Sequence, residues 1–327
     1  MRFVDLYCGA GLGARGAHDS GATPVLAVDA WDLATRTYKT NFPGTRVITA
    51  RVESDDALAA AATVKDIDVL LTSPECTSHS IARGAREGCE ISRETAINIL
   101  PWVTELSPRW VVVENVSRMR QWERHRELVE QLDSLGYTVS EVILNAADLG
   151  APQARKRLFL ICDREGEPPK QEDFDKYRQH FGSARSIIDW SGKWKMSPLF
   201  TAKRAPKTIE RAERAINALG FAEPFIMVYY GSDYAGGWQT LDAPLRTITT
   251  LDRFALVTIE KGIHMMRMLQ PPELLRAMGA GTHLLPYGTR RDMVKLCGNG
   301  VCATAMKAVF TEIASIQAVS KPLQQAA

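Results

Sequence analysis

The residues with the clearest chemical potential lie where apolar runs end. Asp68 to Thr72 is one such run, closed by Ser73 and Pro74 and followed by Glu75, Cys76, Thr77, Ser78, His79 and Ser80. Its composition reads as a sheet strand covered on both faces and stopped by the proline. Cys76 then falls at the carboxyl edge of the sheet, where open α/β sheets bind their ligands. A thiol there can act as a soft nucleophile once ionised, or it can be one more small apolar residue. The first apolar run ends in Tyr7-Cys8-Gly9-Ala10-Gly11-Leu12-Gly13-Ala14-Arg15-Gly16. Glycines let the backbone turn tightly against a ligand, and the helix that follows presents free N–H groups. Asp29 closes the second run, at a position where a carboxylate can accept both hydroxyls of a ribose. Strand, glycines, helix and acidic residue in this order point to an adenosine-containing ligand. Gly11, Gly13 and Gly16 also satisfy the dinucleotide spacing, so a nicotinamide dehydrogenase stands as an alternative at this point.

Positioning these residues requires alternating strands and helices. The chain predicts strands at Phe3 to Tyr7, Pro24 to Val28, Arg46 to Thr49, Asp68 to Thr72, Trp110 to Glu114, Thr138 to Leu144 and Leu158 to Cys162, with amphipathic stretches between them. That alternation is the pattern of a doubly wound α/β sheet. After Asp163 the composition turns polar, then basic with interleaved aromatics and prolines, and two more β-like runs follow at Pro224 to Tyr230 and Pro244 to Thr258. The expected organisation is a catalytic and cofactor-binding domain of residues 1–163 plus 288–327, with a smaller domain at 164–287. The 327 residues carry a net charge of +2, with 45% hydrophobic and 24% charged residues, an ordinary globular composition. No apolar run is long enough to span a bilayer and the start reads as strand and turn, so the expected place of work is the cytoplasm. The six cysteines are scattered without metal spacing, so neither disulfides nor a metal are expected.

Further motifs follow Cys76 in a fixed order. They are Glu114-Asn115-Val116 at a strand end, Gln153-Ala154-Arg155-Lys156-Arg157 opening a strand, Pro244-Leu245-Arg246-Thr247-Ile248-Thr249-Thr250, and Gly298-Asn299-Gly300-Val301. Together with Asp5-Leu6-Tyr7-Cys8-Gly9-Ala10-Gly11, this ordered set resembles the DNA cytosine-5 methyltransferase family, over nearly the whole chain except its variable middle. The resemblance implies a class I methyltransferase Rossmann-like sheet with a smaller target-recognition domain. It implies S-adenosyl-L-methionine as cofactor, faced by Tyr7, Gly9, Ala10, Gly11, Leu12 and Asp29, with Asn299 supporting it from the returning C-terminal segment. The implied partner is double-stranded DNA carrying a short cytosine-containing recognition sequence, bound by a monomer; the alternatives are a tRNA cytosine-5 methyltransferase, a family member with an altered transferred group or cofactor, and a nucleic-acid-binding protein that kept the fold and lost turnover.

The chemistry of that reaction accounts for the residue types. C5 of cytosine is a poor nucleophile, so the ring must first be activated by covalent addition at C6, a task suited to a thiolate. Cys76 matches the family nucleophile. Glu114 matches the residue that meets N3 and the exocyclic amine, and it must carry a proton at the key moment, which burial would favour. Arg155 and Arg157 match the pair that supplies fixed positive charge near the base oxygen. The chain departs from the family in having Glu75 before the nucleophile and Ala50-Arg51-Val52 where an acidic residue commonly reaches the adenine. The middle region holds a local basic cluster with aromatics, in which Lys193, Lys195, Lys203, Arg204 and Lys207 are the expected phosphate contacts, joined by Ser80 from the nucleophile loop. The buried reacting edge of the base requires the cytosine to be flipped out of the duplex.

Overall fold

The computed structural model describes residues 1–74, 96–122, 124–230 and 236–320. Its main sheet contains β1 (Arg2–Leu6), β2 (Thr23–Asp29), β3 (Arg46–Thr49), β4 (Val69–Thr72), β5 (Trp110–Asn115), β6 (Thr138–Asn145) and β7 (Lys156–Asp163), in the order β3-β2-β1-β4-β5-β7-β6. Strands β1 to β5 pair in parallel, whereas β7 runs antiparallel to both β5 and β6. Strand side chains alternate between two cores, as a period of two demands. Phe3, Val69, Leu71 and Val112 join one core with residues of α1 (Leu12–His18), α2 (Asp32–Asn41) and the last helix, α9 (Ala303–Ser320). Val4, Leu70, Val111 and Val113 join the other with α3 (Asp55–Ala61), α4 (Leu100–Leu106) and α5 (His125–Ser134). Gly16 lets α1 and α9 touch, because a Cβ there would lie 2.1 Å from the Ala303 carbonyl oxygen.

The second sheet is antiparallel, ordered β10-β9-β11-β12-β8, from β8 (Ser197–Pro198), β9 (Phe225–Val228), β10 (Trp238–Thr240), β11 (Phe254–Glu260) and β12 (Ile263–Met268). One face, with Phe225, Met227, Ala255 and Val257, packs on Ala212 and Ala215 of α6 (Pro206–Leu219). The opposite face, with Ile226, Val228, Phe254 and Leu256, is continuous with the main core. Helices α7 (Pro271–Ala277) and α8 (Arg290–Asn299) lead back to the main sheet.

One expected strand is corrected. Pro244 to Thr258 is not a single strand; β11 begins at Phe254. The alternating residues before it take their partners from side chains instead of from a neighbouring strand. Gln153 accepts from the Ile248 N–H at 3.0 Å and Arg155 donates to the Ile248 carbonyl at 3.0 Å, and among the described residues only Leu245 of this stretch makes a bridge, to Gln153. Both side chains are buried, so these bonds satisfy a segment that would otherwise be left with orphaned peptide groups.

Candidate active site

A cavity of about 590 Å³ opens at the carboxyl ends of β1, β2, β4 and β5, a size suited to a small organic ligand. Tyr7, Gly9, Leu12, Gly13, Asp29 and Asn299 all line it. The turn out of β1 is held in unusual backbone: Tyr7 has φ 54° and Gly9 φ 51°, a region that costs a non-glycine residue about 1–3 kcal/mol and is retained where the surroundings enforce it. A Cβ on Gly9 would meet nothing within 4 Å, which leaves open space beside the turn. The Asp29 carboxylate accepts from the Gly9 N–H at 2.9 Å and from the Trp31 N–H at 2.8 Å. It therefore locks the glycine turn to the end of β2.

At two of the expected cofactor positions the Cβ side is taken up by packing. Ala10 and Gly11 are not part of the cavity lining. Ala10 is buried against Ala34 and Leu296, and a Cβ on Gly11 (φ 83°) would press on the Tyr38 and Phe42 rings at 2.8 and 2.9 Å. Glycine is needed at position 11 for its backbone and for ring packing, so Gly11→Ala is expected to destabilise the fold by roughly 1–3 kcal/mol. Thermal unfolding checks this; an unchanged melting temperature would mean that the turn relaxes around the extra methyl.

The other half of the cavity is lined by Glu114, Arg155 and Arg157 and by the chain leading to Cys76. Strand β4 ends at Thr72, and Ser73 and Pro74 line the cavity. Asn115 at the end of β5 donates to the Pro74 carbonyl at 3.2 Å and accepts from the Val116 N–H at 2.8 Å, fixing the chain two residues before Cys76. Cys76 and Ser80 themselves lie outside the described residues, as do Glu75 and His79. Glu114 is buried, and its Oε1 stands 3.1 Å from Arg157 Nε. Burial lifts the Glu114 carboxyl above the usual glutamate range, against the opposing pull of Arg157 and Arg155. The Gln-x-Arg-x-Arg motif thus divides its work. Arg157 faces Glu114, while Arg155 is buried and donates to the carbonyls of Ile248, Gly298 and Gly300 at 3.0, 2.9 and 2.9 Å. Those bonds join the Pro244–Thr250 stretch and the Gly298–Val301 turn to the start of β7.

Sequence reasoning missed several lining residues. Trp31 carries Lys295 Nζ at 4.4 Å from its ring centroid, and Glu53, two residues past the anomalous Arg51, pairs with it at 2.5 Å. A carboxylate is therefore present at the β3 edge after all, displaced by two residues. Trp31 was legible as an aromatic two residues after Asp29; Lys295 was not, because only folding brings α8 against the start of α2. Among the expected phosphate contacts, Lys195, Lys203 and Lys207 are exposed, but Lys193 is held by Asp189 at 2.8 Å. Arg204 donates to the Pro198 carbonyl at 2.9 Å and to Ser197 Oγ at 3.2 Å, which commits much of its guanidinium to closing the β8 turn. Among the described residues no His, Cys, Asp and Glu group is placed to hold a metal, and no helix is long and apolar enough to cross a membrane.

A sheet with five parallel strands, an antiparallel β7 inserted before β6, a glycine turn after β1 and an acidic residue ending β2 defines a class I methyltransferase fold. The family model described as C-5 cytosine-specific DNA methylase matches residues 1–315, and the chain belongs to that family. The Type II methyltransferase M.DdeI of Desulfomicrobium norvegicum is 30% identical over 179 residues, covering 53% of this chain and 43% of that protein. The human tRNA (cytosine(38)-C(5))-methyltransferase is 28% identical over 180 residues, covering 51% and 44%. The chain thus spans about half the length of the curated relatives it matches. The solved structure of the S. pombe Dnmt2 methyltransferase shares the fold over 98% of this chain and 99% of that one, with a TM-score of 0.65 at 17% identity.

Proposed function

We propose that the chain methylates C5 of a cytosine flipped out of duplex DNA, through a covalent bond between Cys76 Sγ and C6 of the base. The observation that carries this reading is the meeting of three features in one cavity. The Glu114–Arg157 pair, the β4 terminus leading to Cys76, and the glycine turn clamped by Asp29 all border it. Tyr7, Gly9, Leu12, Asp29 and Asn299 would hold S-adenosyl-L-methionine, the methyl donor of the family, and the open space beside Gly9 fits a bound ligand. When bound, that cofactor supplies an electrophilic methyl group. The chain does the rest. The Cys76 thiolate adds to C6, and Glu114, whose acid form burial favours against the pull of Arg157 and Arg155, gives its proton to N3 as negative charge builds on the ring. Arg157 stabilises that charge and afterwards the carboxylate left behind. Once C5 is substituted, its proton passes to water, the Cys76 sulfur departs as thiolate, and N3 returns its proton to the Glu114 carboxylate, which restores the neutral aromatic ring. Arg155 holds the surrounding backbone in place.

The recognition surface would be the 164–287 region, with DNA lying between it and a unit formed by residues 1–163 and 288–327. Replacing Lys195, Lys203 and Lys207 together by alanine is expected to weaken binding to all duplex sequences alike. It should reduce the slope of log affinity against log salt by roughly one for each phosphate that no longer faces a lysine. A slope equal to that of the wild type would place these lysines away from the DNA.

Incubation with methyl-labelled S-adenosyl-L-methionine and either duplex DNA or tRNA, followed by digestion to nucleosides, tests the function directly. The expected product is labelled 5-methylcytosine from DNA. The likeness to the human tRNA enzyme supports a second reading, which label in tRNA alone would establish in place of the first.

A further inference from the structure

The loop joining α7 to α8 fastens onto the cofactor half of the molecule, although it follows the second sheet in the chain. Asn41 at the end of α2 donates to the Leu284 carbonyl at 2.9 Å and accepts from the Leu284 N–H at 2.9 Å, a reciprocal pair equivalent to a strand bridge. Tyr287 accepts from Thr40 Oγ1 at 3.2 Å and lies under Arg36, whose guanidinium carbon is 4.5 Å from the ring centroid. Immediately before these anchors the His283 side chain is buried, and its Nε2 stands 2.6 Å from the Ala10 carbonyl oxygen. A carbonyl can only accept, so Nε2 carries the proton. Nδ1 is buried with no hydrogen-bond partner among the described residues, and burial holds the ring neutral, its pKa lowered to about 4.

The bond falls on the peptide that sequence alone leaves least determined. Ala10 sits between Gly9 and Gly11, both at positive φ, and glycines tolerate either hand, so local sterics do not decide which way the Ala10–Gly11 peptide faces. Three ties decide it. Gly9 N–H donates to Asp29, Gly11 N–H donates to the Cys8 carbonyl at 2.9 Å, and the Ala10 carbonyl accepts from His283. The first two come from the same strand–turn–strand unit. Only the third reaches the turn from the far end of the chain. With the Ala10 carbonyl drawn out to the histidine, Gly9 keeps the conformation in which it lines the cavity.

We propose that His283 is a positioning residue for the cofactor site, holding the glycine turn in its ligand-binding conformation through the Ala10 carbonyl. The inference rests on the cofactor reading given above. It separates cofactor affinity from DNA affinity, since His283 touches neither the Glu114 half of the cavity nor the exposed lysines.

The experiment is calorimetric titration of the full chain with S-adenosyl-L-methionine, for wild type, His283→Leu and His283→Gln, with steady-state kinetics on DNA alongside. Leucine keeps the volume without a donor; glutamine keeps a donor near the Nε2 position. His283→Leu is expected to bind the cofactor about fivefold to tenfold more weakly, the effect of losing one buried hydrogen bond and its alignment. His283→Gln should recover most of that loss. KM for DNA and kcat at saturating cofactor should stay at wild-type values in both. Wild-type cofactor affinity in folded His283→Leu would overturn the inference, as would equal losses in the leucine and glutamine variants, which would mean a packing role. If the leucine variant does not fold, Asn41→Ala loosens the same loop from outside the turn and should weaken cofactor binding a few-fold with KM for DNA unchanged; unchanged cofactor affinity there overturns the proposal too. A wild type that binds no S-adenosyl-L-methionine would instead remove the cofactor reading itself.

Discussion

Cys76→Ala is expected to lower methyl transfer by roughly 10³-fold or more, the scale on which removing a covalent nucleophile acts. Duplex DNA with 5-fluorocytosine at the target position makes the test specific. Fluorine at C5 cannot leave as a proton does, so the sulfur–C6 bond should persist after methyl transfer and survive denaturation. A denaturation-resistant complex is expected from the wild type and not from Cys76→Ala. The other cysteines act as controls. Cys8, Cys162, Cys297 and Cys302 are free and buried, and burial pushes the Cys8 thiol well above the ordinary cysteine range, which makes it a poor nucleophile at neutral pH. Cys8→Ala should therefore trap DNA as the wild type does. Covalent complex from Cys76→Ala, or its loss in Cys8→Ala alone, would refute the assignment of the nucleophile.

Glu114→Gln is the second large effect, expected to slow turnover by about 10²–10⁴-fold, the usual weight of a positioned general acid. Glutamine keeps the size and can still contact the base, but it has no proton to deliver to N3. The sign of the pH dependence follows from burial. The acid form is the active one, and a carboxyl lifted above its ordinary range keeps that form at higher pH than an exposed glutamate would. The wild-type rate should therefore fall on the alkaline side as Glu114 ionises, and the residual Glu114→Gln rate should lack that limb. Rate measured against pH at saturating substrates, with melting temperatures to exclude unfolding, is the check. The same alkaline limb in the variant would assign it to another group.

Much of the site was legible because motif chemistry is local. Glu114-Asn115-Val116 follows an apolar run, so its place at a strand end follows from the run itself, and β5 indeed closes at Asn115. The glycine turn and Asp29 are fixed by the same reasoning, and they meet through the Gly9–Asp29 hydrogen bond. What spacing could not supply was direction. Gly9 and Gly11 look interchangeable in sequence, yet one borders the cavity and the other packs on Tyr38 and Phe42. Arg155 and Arg157 stand two residues apart as β7 opens, yet one binds three carbonyls while the other faces Glu114. The basic middle region likewise reads as uniform charge, until Asp189 claims Lys193 and the Pro198 carbonyl claims Arg204.

Over residues 1–163 the sequence by itself determined the strands, their order and the residue types at their ends, because apolar periodicity, glycine turns and proline stops act over a few neighbouring residues. The tertiary structure alone decided how distant elements complete the site. The insertion of antiparallel β7 between β5 and β6 sets Glu114 beside Phe159 and so brings Arg157 within reach of the carboxylate. The return of the C-terminal segment places Asn299 and Lys295 at a cavity opened by the first strand, and sets His283 against Ala10 across a separation of 273 residues. No local propensity encodes such meetings. They arise when apolar faces with no preference for chain neighbours are buried together, and the polar groups carried inward with them must find whatever partner the packing presents.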